Sequence, residues 1–452
     1  MAAGTERSGQ REGADSPLLA ALERQLSLGR SRLHMPGHKG HLPFPLSEAA
    51  RYDFTELPDT DSLYEAEGCL LSLERRYASL YGAADSFLSA GGSTLCIQTM
   101  LALLGPDAAL CCDRNLHTSA MNAMGLLGQR PFFLGMRRDE SGLPLPPAPQ
   151  DVGRMLTRHP EIRAVYLTSP NYYGYLADIR GIAEAAHAHG ALLLVDNAHG
   201  AHLPFVEGVS HPLAVGADIC CDSLHKLLPA LTGAALLHLS GNAPFSRERV
   251  KTCMSWFGST SPSYLILLSV DLLSAELASG LPVRLKRAQR RAAQLRRDFL
   301  LPHPPEGESD PLRLVIPSCG EAAALRRLLY REQIEPELCD KLAAVLLFGA
   351  DSEEEDFLRA EAALRHLPAC PALPERDGLP DLGEPEMGCT PREAMLAESE
   401  PVAAEEALGR VAASSVQRCP PGAPLVLCGE RISRETILLL KNYGVLALNV
   451  IK

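Results

Sequence analysis

Two polar residues stand where apolar runs end. Asp196 closes the run ALLLV at 191–195, and Lys226 follows DICCDS at 218–223. A lysine in a partly dry crevice gives up its proton more readily than one in water, and can then form a Schiff base with an aldehyde. An aspartate at a neighbouring strand end can hold a pyridinium nitrogen protonated. A pyridoxal phosphate enzyme needs both, the lysine as tether and the aspartate to keep the ring an electron sink. Lys226 by itself reads as a surface residue, because lysine is mostly exposed. The combination is what points to chemistry.

A phosphate also needs a cradle. Gly91-Gly92-Ser93-Thr94 precedes a helical run, where glycines permit close backbone approach and hydroxyls and first-turn N–H groups donate to an anion. The other reading is plain N-capping of that helix by Ser93. Ser223 and His225, beside the lysine, add further donors.

The elements that must position these groups alternate between two periods. Helical spacing covers 70–80, 94–104, 117–127 and 179–189, and Gly190 follows the last as a C-terminal glycine should. Short continuous apolar runs at 108–112, 131–135, 163–168 and 191–195 predict strands buried on both faces of a mostly parallel sheet. The fold class is therefore α/β. In open α/β sheets ligands bind at the carboxyl ends of strands, and those ends carry Ser169-Pro170-Asn171, Asp196 and Ser223-x-His225-Lys226. Beyond them, 310–317, 321–332, 343–348 and 357–367 read as a small β–α–β–α unit. The expected division is a cofactor-binding large domain over 1–300 with an N-terminal arm, and a small α/β domain over 301–370. A Pro-, Gly- and Glu-rich linker over 371–391 leads to a C-terminal domain over 392–452. That last domain is expected to hold a helix over 401–411 and strands at 424–428 and 444–450.

Composition narrows what such a site would serve. The 452 residues carry 43 Lys and Arg against 55 Asp and Glu, a formal charge of −12, and 46% are hydrophobic. A chain this apolar offsets its ordering entropy by burial, which excludes disorder as its main state. The acidic balance argues against a nucleic-acid partner, whose phosphates require clustered cations. The basic run at 286–297 spreads its charges around a helix and reads as a solvated face. The first residues lack the apolar stretch of a signal peptide. No run reaches the ~18 apolar residues of a membrane span, since the stretch at 265–273 is short and contains Asp271. A cytoplasmic protein with no membrane partner is expected. The 13 cysteines are odd in number and form no C-x-x-C pair. Cys111–Cys112 and Cys220–Cys221 lie in strand-like runs and are expected to be reduced core residues rather than zinc ligands.

Eight strings resemble one family in its own order: MPGHKG at 35–40, DFTELPDTDSLYEAEG at 53–68, SAGGST at 89–94, DRNLHTSA at 113–120, LTSPNYYG at 167–174, LLVDNAHGAH at 193–202, DSLHKLLPALTG at 222–233 and STSPSY at 259–264. The family is the bacterial Orn/Lys/Arg decarboxylases, pyridoxal-phosphate-dependent enzymes of the aspartate-aminotransferase fold (fold type I). The resemblance runs from about residue 15 to the C-terminus and is to the compact members that lack an N-terminal wing domain. It implies that Lys226 is the Schiff-base lysine, Asp196 the partner of the ring nitrogen and His117 a stacking group over the ring. Ser93, Thr94, Ser223 and His225 would hold the phosphate, and Ala198 and His199 would line the cofactor. Ser259 and Thr260 would reach the phosphate of a neighbouring subunit, which implies a homodimer with shared sites. Two plainer readings stand beside these: His117 as an ordinary histidine at a helix N-terminus, and the 259–261 cluster as a cap for the helix after it. His34 and His38, spaced as a metal pair would be, are separated by Pro36-Gly37 and are read as a turn, so no metal is expected.

The same resemblance implies an amino-acid substrate, a basic one such as arginine, lysine or ornithine, and an amine and carbon dioxide as products, with a place in polyamine biosynthesis. Two departures bear on it. Asn197 stands where many members have Glu, and Ser62-Leu63-Tyr64 where many have Asp-Leu-His. A distal cation calls for a carboxylate, and Glu56, Asp59, Asp61, Glu65 and Glu67 offer one, unless they form a solvated acidic loop. Transamination or β-elimination on the same scaffold is the alternative reaction, with Arg313 as a clamp for the α-carboxylate or else an exposed strand residue. A catalytically silent homologue is the third.

Overall fold

Seven strands build the central sheet of the computed structural model, which describes residues 16–28, 39, 46–301, 307–367, 382–417 and 424–452. They are β1 (Asp85–Ser89), β2 (Ala109–Cys112), β3 (Arg130–Phe133), β4 (Ile162–Thr168), β5 (Leu192–Asp196), β6 (Ile219–Ser223) and β7 (Ala235–Leu239). Their order is β1-β7-β6-β5-β4-β2-β3. The five from β6 to β3 are parallel, while β7 is antiparallel to both β6 and β1. His34 and His38 lie outside the described residues.

The apolar runs are continuous because both faces of the sheet are covered. In β5, Leu194 packs into one core with Leu110 and Phe87, while Leu193 and Val195 pack into another with Ile182. Successive side chains of a strand point to opposite faces, and this accounts for the paired cysteines. Cys112 and Cys221 fill the first core, Cys111 and Cys220 the second, and all four are free thiols. Burial pushes each thiol up, Cys111 to about 12. Cys319, outside these runs, is disulfide-bonded.

Polar residues inside apolar elements have specific partners. Asp271, in the middle of helix Tyr264–Leu277, is fully buried and accepts from Leu19 N at 2.9 Å. It thereby ties down the start of helix Pro17–Ser27, and burial raises its pKa to about 6. The basic run forms helix Leu281–Asp298, and Arg296 departs from the expected solvated face. Its guanidinium is buried and donates to Pro311 O at 2.7 Å.

The small unit is an antiparallel sheet of Arg313–Pro317, Ala343–Leu347 and Leu338–Cys339, with helices Ala322–Arg331 and Glu354–Arg365. In the C-terminal region the helix expected over 401–411 is instead strand Ser399–Ala403, paired antiparallel with Ala447–Ile451. Pro401 cannot donate a helical hydrogen bond but is tolerated in this two-stranded ribbon, which exposes alternate residues. Helix Arg434–Asn442, which the sequence reading did not pick out, is capped by Ser433. Of the expected linker, 371–381 lie outside the described residues. From Leu382 onward the chain is packed rather than free, with Met136 N donating to Leu382 O at 2.7 Å.

One buried ion pair docks this region on the large sheet. Arg114 donates to Glu430 Oε2 at 2.7 Å and to Leu425 O at 3.0 Å, with both side chains almost fully buried. Removing one partner of a buried pair leaves the other charge uncompensated. Glu430→Ala is expected to cost about 3–5 kcal/mol in a urea unfolding titration, with early protease cleavage after residue 382.

Candidate active site

Register places the polar strand ends side by side. Thr168 of β4 pairs with Asp196 of β5, and Asp196 pairs with Cys221 of β6, two residues before the strand ends at Ser223. Asp196 is buried and its carboxylate is oriented by Ala198 N at 3.1 Å and Tyr166 Oη at 3.3 Å. β6 runs directly into the short helix Leu224–Leu227, and this turn carries Lys226 into the crevice.

The Lys226 amine lies 3.0 Å from His199 Nε2. Burial lowers its pKa; the Asp196 charge opposes the shift and Arg313 adds to it. His199 is buried more deeply, and desolvation, with the cations Lys226 and Arg313, holds it well below the ordinary imidazole value. Its Nδ1 has no partner, and the Tyr172 ring meets it edge-on at 5.0 Å. Tyr172 lies inside the string 167–174 but is not a candidate from sequence, because a tyrosine in a polar turn beside a second tyrosine carries no signal of its own.

His117 is the N-cap of helix Thr118–Leu127. Its Nδ1 accepts from Ser119 N at 3.2 Å and lies 2.7 Å from Ser119 Oγ. The capping reading and the cofactor reading are therefore compatible. With Nδ1 engaged as acceptor, the neutral ring carries its proton on Nε2, and the ring is exposed to the cleft. Crowding by the cleft walls lowers its pKa, Asp196 raising it and Lys226 lowering it.

The glycine loop is open to an anion. Helix Gly92–Leu103 has Gly91 as its N-cap and no side-chain cap, so Ser93 lies within the first turn and is not the capping residue. Gly92 adopts φ +67, where a side chain would have open space but a strained backbone. Ser89 Oγ holds the loop through Gly91 N at 3.1 Å and Gly92 O at 2.9 Å. Gly92 N donates to Gly233 O at 2.8 Å, bringing the loop to the segment after Lys226. There His225 Nδ1 sits 3.0 Å from Ala234 O and 3.3 Å from Ser223 Oγ.

Ser259 and Thr260 are not brought to this cluster. Both are exposed, and Ser259 Oγ accepts only from Ser261 N at 3.1 Å. They do not cap the next helix either, a role that Ser263 takes. Arg313, read as either a clamp or an exposed strand residue, is 2% exposed. It donates to Asn171 O and to Tyr172 O, the latter at 2.7 Å, and lies 3.1 Å from Asp310. Asp310 accepts from His202 at 2.8 Å, and His202 and the Arg313 guanidinium together hold its carboxyl down at about 2 despite burial.

Known proteins resemble the chain in sequence and in fold. The Orn/Lys/Arg decarboxylase major domain matches residues 16–299, and the C-terminal domain of the same family matches 382–444. The chain belongs to this family. An arginine decarboxylase from Bacillus subtilis (strain 168) is 30% identical, over 95% of this chain and 94% of its own. Lysine decarboxylase A from Pseudomonas aeruginosa superposes with a TM-score of 0.82 at 19% identity, covering 97% of this chain and 81% of that one. A solved structure of SPT with PLP shares the fold more distantly, at TM-score 0.54 and 13% identity over 78% of this chain and 83% of that chain.

The protein is thus an amino-acid decarboxylase of fold type I that uses pyridoxal 5′-phosphate. Its residues fit that cofactor: an uncapped helix start with two hydroxyls, a depressed amine, and a carboxylate held between two donors. The departure at Asn197 has a local explanation. The Asn197 amide donates to Asp222, which is held by His211 at 2.9 Å and His238 at 3.1 Å. A carboxylate at 197 would face Asp222 in a buried place, where two like charges cannot both ionise cheaply. Within the acidic stretch, Asp61 is consumed by backbone donors from Ser62, Glu67, Gly68 and Leu70 at 2.7–3.1 Å. Glu56 is half-buried with a raised pKa, and desolvation is the cause.

A lowered pKa leaves more free amine at a given pH. In the protein stripped of cofactor, an amine-directed reagent at pH 8 should modify Lys226 ahead of surface lysines, with a titration midpoint below 10.5. Peptide mapping checks this, and equal labelling of all lysines would refute it.

Proposed function

We propose that the decarboxylase acts on a basic amino acid, arginine, lysine or ornithine, and releases the amine and carbon dioxide. The supporting observation is the desolvated Lys226 amine beside Asp196 and His199, on a segment whose Gly233 carbonyl holds the uncapped glycine loop, in a chain similar over 95% of its length to an arginine decarboxylase. When bound, the cofactor accepts the electron pair left behind as the carboxylate departs. Lys226 tethers it, and Asp196 keeps a proton on the ring nitrogen. Ala198 and His199 line the ring, while His117 covers the face and presents its Nε2 proton to the reacting carbon. Ser93, Thr94, Ser223 and His225 hold the phosphate, with the N–H groups of the first turn.

The reading includes a cytoplasmic homodimer. Ser259 and Thr260, exposed and without partners in their own site, reach the phosphate of the second subunit. The domain division falls near 300 and 370, with the C-terminal domain from 392. Glu56, the half-buried carboxylate of the acidic stretch, meets the distal cation of the substrate.

Carbon dioxide release measured across the amino acids tests the reading. Arginine, lysine or ornithine should turn over, and Lys226→Ala should abolish turnover; keto acid without carbon dioxide would refute it. Glu56→Gln should raise KM for the basic substrate about tenfold with little change in kcat, as the loss of one charge-assisted hydrogen bond would.

A further inference from the structure

Gly258 ends helix Arg247–Phe257 with φ −84 and ψ 156, a conformation open to any residue. Its backbone does not require glycine. A Cβ there would nevertheless fall on the Tyr64 hydroxyl and lie 2.7 Å from Tyr64 Cζ. The demand for glycine comes from Tyr64, one of the positions where this chain departs from its family's pattern.

The tyrosine is not free to swing aside. It is half-buried and packs against both large cores. The residue before it is clamped: buried Lys251 donates to Leu63 O at 2.5 Å and to Glu74 Oε1 at 2.6 Å. Lys251 belongs to the helix that Gly258 ends, so helix and tyrosine are fixed to each other at two points. Glu74 Oε1 also accepts from Leu88 N at 3.0 Å, which is the residue before Ser89 and the glycine loop. The base of the 259–261 segment and the phosphate cradle thus hang on one buried carboxylate. Beyond Gly258 the segment is exposed and has only its internal Ser261–Ser259 hydrogen bond, so its direction is decided at its base.

We propose that Tyr64 is a positioning residue for the 259–261 segment: seated on Gly258, its ring sets the direction in which Ser259 and Thr260 leave the helix and so shapes the phosphate subsite of the second subunit. The inference rests on the reading that these hydroxyls serve a partner's cofactor.

Titration of the cofactor-free dimer with pyridoxal phosphate, followed by absorbance, gives the Kd that tests it. Gly258→Ala should weaken binding about tenfold or more, the loss of one or two hydrogen bonds to a charged group. Tyr64→Ala, which removes the seat without adding an atom, should also weaken it. Adding Gly258→Ala to Tyr64→Ala should cost little further, because the severe collision is gone and only the tight approach to Met254 O at 3.1 Å remains. Gly258→Ala should leave the melting of the cofactor-free dimer nearly unchanged, whereas Tyr64→Ala, which strips packing from both cores, should lower it. An undiminished Gly258→Ala penalty in the Tyr64→Ala background, no Gly258→Ala penalty at all, or a fall in the melting temperature of Gly258→Ala that matches its loss of binding would overturn the proposal. The underlying reading is tested separately by Ser259→Ala with Thr260→Val. If that pair leaves Kd unchanged, the cross-subunit role fails; if it weakens Kd while the Tyr64 and Gly258 effects simply add, only the positioning role fails.

Discussion

A primary amine held out of water is the condition on which the rest of the site depends. An amine attacks an aldehyde only in its uncharged form, and burial raises the share of that form at Lys226 by making the ammonium costly. The surroundings then divide the work. Arg313 adds a repelling charge, Asp196 restrains the shift, and His199 occupies the amine directly at 3.0 Å. Arg313 is itself kept in place by carbonyls of the 171–172 turn and by Asp310, and this buried cation conditions the lysine.

That environment is a product of the sheet. Strands β4 to β6 are apolar along their length because helices cover both faces, and polarity is confined to where each strand leaves the sheet. Three adjacent parallel strands therefore deliver their polar ends to one edge. The same burial forces every other polar group inside to find a partner. Asp222 illustrates this: two histidines hold its carboxyl below the ordinary range, and it engages the Asn197 amide next to Asp196. The Asn197 departure is thus a local charge adjustment beside Asp196.

The acidic stretch shows how geometry sorts residues of one type. Asp61 turns inward at φ +69 and gathers four backbone N–H groups, so it builds the loop. Glu56, a few residues earlier, is half-buried instead, and desolvation raises its pKa.

The sequence by itself determined the alternation of buried strands and helices, and with it the α/β class and the placing of Asp196 and Lys226 at strand ends. Those signals are local: a run of apolar residues, a period and a terminating glycine are enough to read them. The tertiary structure alone decided what depended on neighbours distant in the chain. It made Arg313 a buried neighbour of the lysine, made Gly91 rather than Ser93 the cap, and turned the 399–403 segment into a strand. It also seated Tyr64 on Gly258, nearly two hundred positions away. No period or propensity encodes such contacts, because burial and partner distance are properties of the packed chain.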